Sequence, residues 1–470
     1  MPSHYRPILL LVSLALPGCA DADPKASVEG SATSGEDGGD EVSTSGHGTS
    51  AVTSGGHGES GDGGVSSGAG STSIGSVGES EDSGGSSESV GEDGSTGGDA
   101  ADALHVSDLG LDSNPGTPDL PMRTISRALV EASDDPGIVE LRVAGGRYEV
   151  DVANAGPLVL VDGISISGGW DAAFSERDSG QWPSVLVDVS AEQVPDTTEV
   201  DPARLVEAPG TVSPDTVFEG FRIELGQGFH RAGVFAEGSP TLRENTFVRG
   251  AASPCTTATA VVVEGGAPRV IGNRISFDFE GQASMVRGIG ARFADATIAS
   301  NVISLVGPGA ASGIDLYVSE SELVGNSILS CGGMLIRLQD STPTIDNNLL
   351  LTEAFGSCVA SLTAQAVPET LRNNLLQCHH TVWGNAGAPF SPMTTISEVH
   401  TQVPGAAGNV KLTETPSLDP EVWLALDHTV PCSVARGGRD LSALHPEDGF
   451  GNLRTEPVSI GAHEWDGACE

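Results

Sequence analysis

Beyond residue 102, hydrophobic and polar positions recur in a short unit: an apolar residue, two others, an asparagine, any residue, then an apolar residue. The asparagines of successive units are Asn245, Asn273, Asn301, Asn326, Asn348 and Asn374. They lie 28, 28, 25, 22 and 26 residues apart. A period in the low to mid twenties predicts one coil of a parallel β-helix, built from three short strands.

A second strand is predicted in each repeat, because apolar residues alternate there with others. The predicted inward residues are Val261 and Val263, then Ile289, Ala291 and Phe293, then Ile314, Leu316 and Val318, then Ile336 and Leu338, then Ala360 and Leu362. Counted back from the asparagines they keep the same offsets, which predicts one register. At a tight bend, each asparagine would adopt the left-handed conformation and hydrogen-bond its equivalents in adjacent coils, forming a ladder.

The β-helix is expected to begin well before the asparagine repeats. Residues 217–223 are interpreted as an earlier coil with Gly220 at the turn position. Residues 139–143, 158–161 and 164–166 predict its first strands. The helical spacing of residues 123–132 predicts a cap, which is needed to cover the unpaired strand edges of an open end.

The first 102 residues have a different pattern. The apolar run at residues 8–16 is too short for a permanent membrane span and predicts a signal peptide over residues 1–19. It ends in Leu16-Pro17-Gly18-Cys19, which resembles the lipobox of bacterial lipoproteins. That resemblance implies lipid attachment at Cys19 and, with Ala20 rather than Asp following, sorting to the outer membrane.

Residues 20–102 are mostly Gly, Ser, Thr, Glu and Asp, with almost no large apolar residue. Such a stretch predicts a disordered tether between the membrane anchor and a folded domain at residues 103–470. The formal charge of the whole chain is −42. This acidity keeps an exposed protein soluble and argues against a nucleic-acid partner.

Motifs near both ends of the predicted domain resemble right-handed parallel β-helix proteins of the pectate-lyase-like superfamily. They are residues 106–117 leading to 121–125, Gly168-Gly169-Trp170-Asp171, Asp448-Gly449-Phe450-Gly451, and Ile460-Gly461-Ala462-His463-Glu464. The resemblance covers residues 103–466 and implies that fold. It implies no activity, because the superfamily includes lyases, hydrolases, epimerases and non-catalytic surface proteins. The catalytic motifs of the polygalacturonase-like members do not occur in their arrangement.

Outward positions are where a ligand would bind. Stacking the coils by their asparagines puts Glu264, Arg292, Tyr317, Gln339 and Gln365 in one column, and Asp315 and Arg337 in the next. This surface predicts a site for a glycan or a cation; the alternative is a set of solvated cross-strand pairs. Aromatic residues make up 4% of the chain, which argues against a long polysaccharide groove.

No metal site or cofactor is predicted, although calcium stays open because Asp278 and Glu280 would share one face of a regular strand. Cys378-His379-His380 lacks a second ligand pair with zinc-like spacing. The predicted domain contains six cysteines, at positions 255, 331, 358, 378, 432 and 469. In an exported protein an even number favours disulfides, and six cysteines allow 15 pairings.

The sequence therefore predicts a surface-anchored, non-catalytic lipoprotein. Its β-helix would serve as a binding or structural module that contacts polysaccharides or surface proteins. The alternative is a carbohydrate-active enzyme, of polysaccharide lyase or glycoside hydrolase type, that uses Glu264, Arg292, Asp315, Tyr317 and Arg337. Oligomeric state is left open.

Overall fold

The computed structural model describes residues 102–190, 202–226, 230–249, 257–279, 285–307, 311–352, 356–385, 392–412, 438 and 459–462. The predicted signal peptide, Cys19 and residues 20–101 of the predicted tether lie outside these residues. Within them, the strands form three parallel sheets of 11, 9 and 10 strands, which the chain visits in turn. The fold is the predicted right-handed parallel β-helix.

The 11-strand sheet contains β1 (Ala103–Val106), β2 (Glu140–Ala144), β5 (Ser165–Trp170), β8 (Val217–Glu219), β11 (Thr241–Arg243), β14 (Arg269–Ile271), β17 (Thr297–Ala299), β20 (Glu322–Val324), β23 (Thr344–Asp346), β26 (Thr370–Arg372) and β29 (Ala406–Ala407). The 9-strand sheet contains β4 (Leu158–Val159), β7 (Ala203–Ala208), β10 (Arg231–Ala236), β13 (Thr257–Glu264), β16 (Met285–Arg292), β19 (Ala311–Tyr317), β22 (Gly333–Gln339), β25 (Gly356–Ser361) and β28 (Thr381–Asn385). The 10-strand sheet contains β3 (Gly146–Val150), β6 (Ser184–Asp188), β9 (Phe221–Leu225), β12 (Thr246–Arg249), β15 (Arg274–Asp278), β18 (Val302–Val306), β21 (Ser327–Ser330), β24 (Leu349–Thr352), β27 (Leu375–Gln377) and β30 (Val410–Lys411).

Apolar side chains of equivalent positions stack on one another inside the coils and form the core. In the 11-strand sheet the stack is Leu242, Val270, Ile298, Leu323, Ile345 and Leu371, each buried. In the 9-strand sheet Val261 pairs with Ile289, Ile289 with Ile314, and Ile314 with Ile336. The predicted register is therefore confirmed for these coils, and each added coil extends one continuous hydrophobic core.

Two predicted inward residues point outward instead. Phe293 and Val318 have positive φ values of 52° and 50°. They form the corner that follows β16 and β19, and their side chains are 57% and 41% exposed. The prediction was wrong because a left-handed residue turns the chain sharply at the corner, which ends the strand alternation that the sequence pattern extends through it.

The register predicted for the fifth coil was also wrong. Ile336 pairs with Val359 and Leu338 with Ser361, so Ala360 lies beside Arg337 on the outer face. The cause is a longer turn: 13 residues separate Ser361 from Asn374, whereas 10 separate Leu338 from Asn348. Counting back from the asparagine therefore misplaces Ala360 and Leu362.

The asparagines form a continuous ladder along the molecule. In a typical step, the backbone N–H and Nδ2 of Asn273 donate to Oδ1 of Asn301, at 3.0 and 3.1 Å. Nδ2 of Asn273 also donates to the Leu242 carbonyl at 2.9 Å. A seventh member, Asn409, accepts from Asn374 at 3.0 Å. It was missed because it lies 35 residues further on, outside the range of the repeat.

The left-handed residue is the one before each asparagine, and the asparagine itself does not take that conformation. Glu244, Ser300 and Asn347, for example, have φ values of 55°, 55° and 60°. The expectation that the ladder asparagine occupies the left-handed position was wrong. Gly220, with φ 74°, consequently matches Glu244 rather than Asn245.

Helix α1 (Ile125–Asp134) covers the N-terminal end of the core with Ile125, Ala128, Leu129 and Ala132. It starts two residues later than predicted because the Thr124 side chain accepts from Arg127 N as the N-cap. Helix α2 (Val152–Ala155) follows β3. Helix α3 (Ile396–Gln402), with a capping box from Thr395 and Glu398, precedes Asn409. None of the described helices is both long and apolar enough to span a membrane.

A short segment near the C-terminus, Ser459–Ala462, packs on the outside of the 10-strand sheet; we call it the C-terminal strap. Its buried Ile460 and Ala462 join a second apolar cluster with Val302, Leu329, Leu349, Leu351 and Leu375. Ala462 N donates to Ser327 Oγ at 2.9 Å, across 135 residues of sequence. The strap belongs to the closing motif noted in the sequence, and it covers outward apolar side chains of successive coils.

Candidate functional site

The five predicted surface residues lie together on the outer face of the 9-strand sheet. Register places Glu264, Arg292 and Tyr317 in one column, in that order. Asp315 and Arg337 are neighbours in the adjacent column. All five line one cleft of about 370 Å³, which we call the arginine cleft. Gln339 also lines it, whereas Gln365 lies in the turn after β25 and outside the column.

Asp315 is the centre of an ion-pair network in the arginine cleft. Its Oδ2 lies 2.9 Å from Nε of Arg287 and 2.8 Å from Nη1 of Arg337. The Arg287, Asp315 and Arg337 side chains are only 7%, 12% and 26% exposed. Two guanidinium groups therefore neutralise one carboxylate in a partly dehydrated setting, where such contacts are stronger than on an open surface.

Arg287 was missed by the sequence reasoning. A strict alternation from the inward Ile289 would point Arg287 into the core, but Gly288 and Ile289 both face the core, so the alternation breaks between them. A side chain at Gly288 would collide with Ile303 of the core, and Gly233 and Gly313 face the core in the same way. A glycine recurring before the inward residue marks this break in the alternation and is the signal that could have found Arg287.

The arginine cleft carries more positive than negative charge. Arg287, Arg292 and Arg337 face Glu264 and Asp315, which leaves an excess of one positive charge, whereas the whole chain carries −42. Arg231 lines the same cleft, and its charge is balanced by the buried Asp188 at 3.2 Å. The cleft is therefore a local cationic site on an acidic protein, and it favours an anionic ligand.

Aromatic surface lies at the edge of the arginine cleft. Phe293 and Tyr317 both line it, and their rings meet edge to face with centroids 5.3 Å apart. Phe293 was predicted to be a core residue, so the sequence reasoning did not include it in the site. Guanidinium groups beside an exposed aromatic ring can bind a ligand that joins a negative charge to an apolar face.

The candidate disulfide and metal-binding residues lie elsewhere on the β-helix. Cys378 forms a disulfide with Cys358 across successive coils, with Cα atoms 5.6 Å apart, so the predicted disulfide chemistry is confirmed there. Asp278 ends β15 in an exposed position, and Glu280 lies outside the described residues. Across the described ranges, no group of three or more His, Cys, Asp and Glu side chains could hold a metal ion.

The family model described as "Protein of unknown function (DUF1565)" matches residues 109–344, half of the chain. The chain belongs to the DUF1565 family. The matched region contains all five predicted residues of the arginine cleft, together with Arg287 and Phe293. No curated protein matches this DUF1565 chain.

Three solved structures are similar to the DUF1565 chain at low identity. The complex of XylC with xylose aligns with 12% identity and a TM-score of 0.39, covering 77% of this chain and 98% of that one. A rhamnogalacturonan lyase aligns with 12% identity and a TM-score of 0.35, covering 77% and 96%. A GH136 lacto-N-biosidase from Eubacterium ramulus gives 10% identity and 0.24, covering 66% and 67%. Because these TM-scores are low, we assign the fold from the strand pairing within the chain and not from the three structures.

Proposed function

We propose that this DUF1565 chain is an exported lipoprotein, anchored in the outer membrane through Cys19, which binds anionic glycans in the arginine cleft without cleaving them. The leader and Leu16-Pro17-Gly18-Cys19 support the anchor. The observation that carries the binding role is the network of Arg287, Asp315 and Arg337, which gives an acidic protein a partly buried cationic cleft.

The same network favours binding over catalysis. A lyase needs carboxylates that hold a cation, and a hydrolase needs one carboxylate free to transfer a proton and another to act on the sugar. Asp315 instead holds two guanidinium groups with one oxygen. Glu264 is the other carboxylate among the residues that line the cleft. The lining therefore supports recognition of a charged ligand better than it supports the enzymatic alternative.

The anchor is tested by labelling cells with radioactive palmitate and separating their membranes. The natural chain should carry label in the outer-membrane fraction. Cys19→Ser should lose the label, whereas Ala20→Asp should keep it and move to the inner membrane. Label retained by Cys19→Ser would rule out attachment at this residue.

Binding is tested with the chain purified from the membrane in detergent, by calorimetry against polyuronates, sulfated glycans and a neutral polymer, with and without calcium. We expect binding to the anionic polymers that weakens as salt is added. Arg337→Met should weaken it, because Met removes the charge while keeping an unbranched side chain. Release of unsaturated or shortened products would favour the enzyme instead. Equal affinity for neutral polymers would contradict the anionic ligand.

A further inference from the structure

Phe293 occupies a corner position that does not require an aromatic residue. Gly265, Phe293, Val318 and Asp340 stack at this corner in successive coils, with φ values of 87°, 52°, 50° and 49°. Their backbones are joined in the same way: Gly265 N donates to Arg292 O, Phe293 N to Tyr317 O and Val318 N to Gln339 O, at 2.9 to 3.0 Å. Glycine takes this left-handed conformation without the steric cost that a bulky side chain incurs.

The Phe293 side chain contributes little to the core in return for that cost. It is 57% exposed, and its ring contact is with Tyr317, which also lies on the outer face. Val318 adopts the same conformation outside the cleft, so it is the position of Phe293 in the cleft lining that sets this residue apart. Because Phe293 lines the arginine cleft, the strain holds an aromatic ring at the edge of a cationic site.

We infer that Phe293, supported edge-on by Tyr317, is an aromatic platform that stacks on the apolar face of an acidic sugar, whose carboxylate or sulfate binds Arg292 and Arg337. This inference rests on the proposed function and names the unit that the cleft recognises. A bare anion would use the arginines alone, and a neutral sugar would use the ring alone. Only a sugar ring that carries a negative charge would contact both the arginines and the Phe293 ring.

The arrangement of coils also fits a saccharide chain. Coils lie about 5 Å apart along the β-helix, which is close to the length of one sugar unit in an extended chain. Arg292 and Arg337 lie on β16 and β22, with β19 between them. Arg337 uses one nitrogen on Asp315, and a guanidinium group carries five N–H donors, so it can also hold a ligand anion.

The test compares Phe293→Gly with Val318→Gly in the otherwise natural chain. Val318 is the matched control: it has the same corner conformation one coil further on, and it is not among the residues that line the cleft. Both variants should unfold at an unchanged or higher temperature, because each relieves a left-handed side chain. Phe293→Gly should bind a glucuronic acid oligosaccharide about tenfold more weakly, whereas Val318→Gly should bind it like the natural chain. Phe293→Trp should retain binding.

Two further probes separate the possible failures. Inorganic sulfate should bind the natural chain and Phe293→Gly with equal affinity, because it contacts only the arginines. The methyl ester of the same oligosaccharide, which lacks the charge, should bind both weakly. If Phe293→Gly binds the acidic oligosaccharide as tightly as the natural chain does, the platform is refuted while anionic binding stands. If the natural chain binds no acidic saccharide, the proposed function fails as well.

Discussion

Replacing one asparagine in the middle of the ladder should destabilise the β-helix measurably. Asn326 is fully buried. Its Nδ2 donates to the Ile298 carbonyl at 2.8 Å and to Oδ1 of Asn348 at 3.0 Å. Its Oδ1 accepts from the backbone N–H and Nδ2 of Asn301, at 3.1 and 3.0 Å. Asn326→Ala removes all four bonds without shortening the coil.

The expected loss of stability depends on which hydrogen-bond partners of the Asn326 side chain keep another hydrogen bond after the substitution. Oδ1 of Asn348 still accepts from Asn326 N, and Nδ2 of Asn301 still donates to Val270 O. The Ile298 carbonyl stays within the backbone ladder between β17 and β20, but the buried Asn301 N–H loses the acceptor that Asn326 Oδ1 supplied. A buried polar group left without a partner costs about 1–3 kcal/mol, so Asn326→Ala should lower the free energy of unfolding by about 1–3 kcal/mol. A domain typically has only about 5–15 kcal/mol in total.

Urea unfolding followed by circular dichroism measures this loss from the transition midpoint and slope. The control is Asn154→Ala, at an exposed position on α2, which should change the free energy of unfolding by less than about 0.5 kcal/mol. The double variant Asn301→Ala/Asn326→Ala should lose less than the sum of the single variants, since the two share bonds. An Asn326→Ala variant as stable as the control would refute the reasoning, because the ladder would then make no net contribution to the free energy of unfolding.

Two further perturbations follow from buried groups elsewhere. Replacing both Cys358 and Cys378 with Ser should lower the free energy of unfolding by about 3 kcal/mol, because the bond closes a loop of 20 residues; a change below about 1 kcal/mol in urea unfolding would contradict this. Burial raises the pKa of the Tyr148 hydroxyl, which lies 2.9 Å from the Ala144 carbonyl. The neutral phenol is thus favoured in the folded chain, so stability is retained below about pH 10 and falls as the pH rises further. Tyr148→Phe should reduce that alkaline loss, measured by urea unfolding at pH 8 and pH 11; an identical loss in both proteins would exclude Tyr148 as its source.

The coils were predictable because each one contacts the next, so a pattern that repeats in sequence repeats in space. Leu242, Val270 and Ile298 follow one another at 28 residues and stack directly. Once the register was known, the outward positions of Glu264, Arg292 and Asp315 followed from simple alternation. The candidate surface could therefore be located without any catalytic motif.

The remaining features depend on backbone geometry that apolar patterns do not encode. Phe293 is as hydrophobic as a core residue, and only its left-handed conformation turns it outward. Arg287 reaches the cleft because the alternation of inward and outward residues breaks at Gly288. Asn409 lies beyond a long insertion that contains α3. In each case the residue type was visible in the sequence, but its direction depended on a bend or on the length of a turn.

The C-terminal strap also affects the order in which the molecule can assemble. Coil-to-coil contacts join residues a few tens apart, so the stack can form before contacts between distant residues do. Ala462 reaches Ser327 across 135 residues, so this contact is expected to form late. Until then the outward side chains of Leu329, Leu349 and Leu351 remain uncovered on an otherwise complete stack. The folding chain thus passes through a stage at which its coils are built but this flank still exposes apolar side chains, and docking of the strap ends that stage.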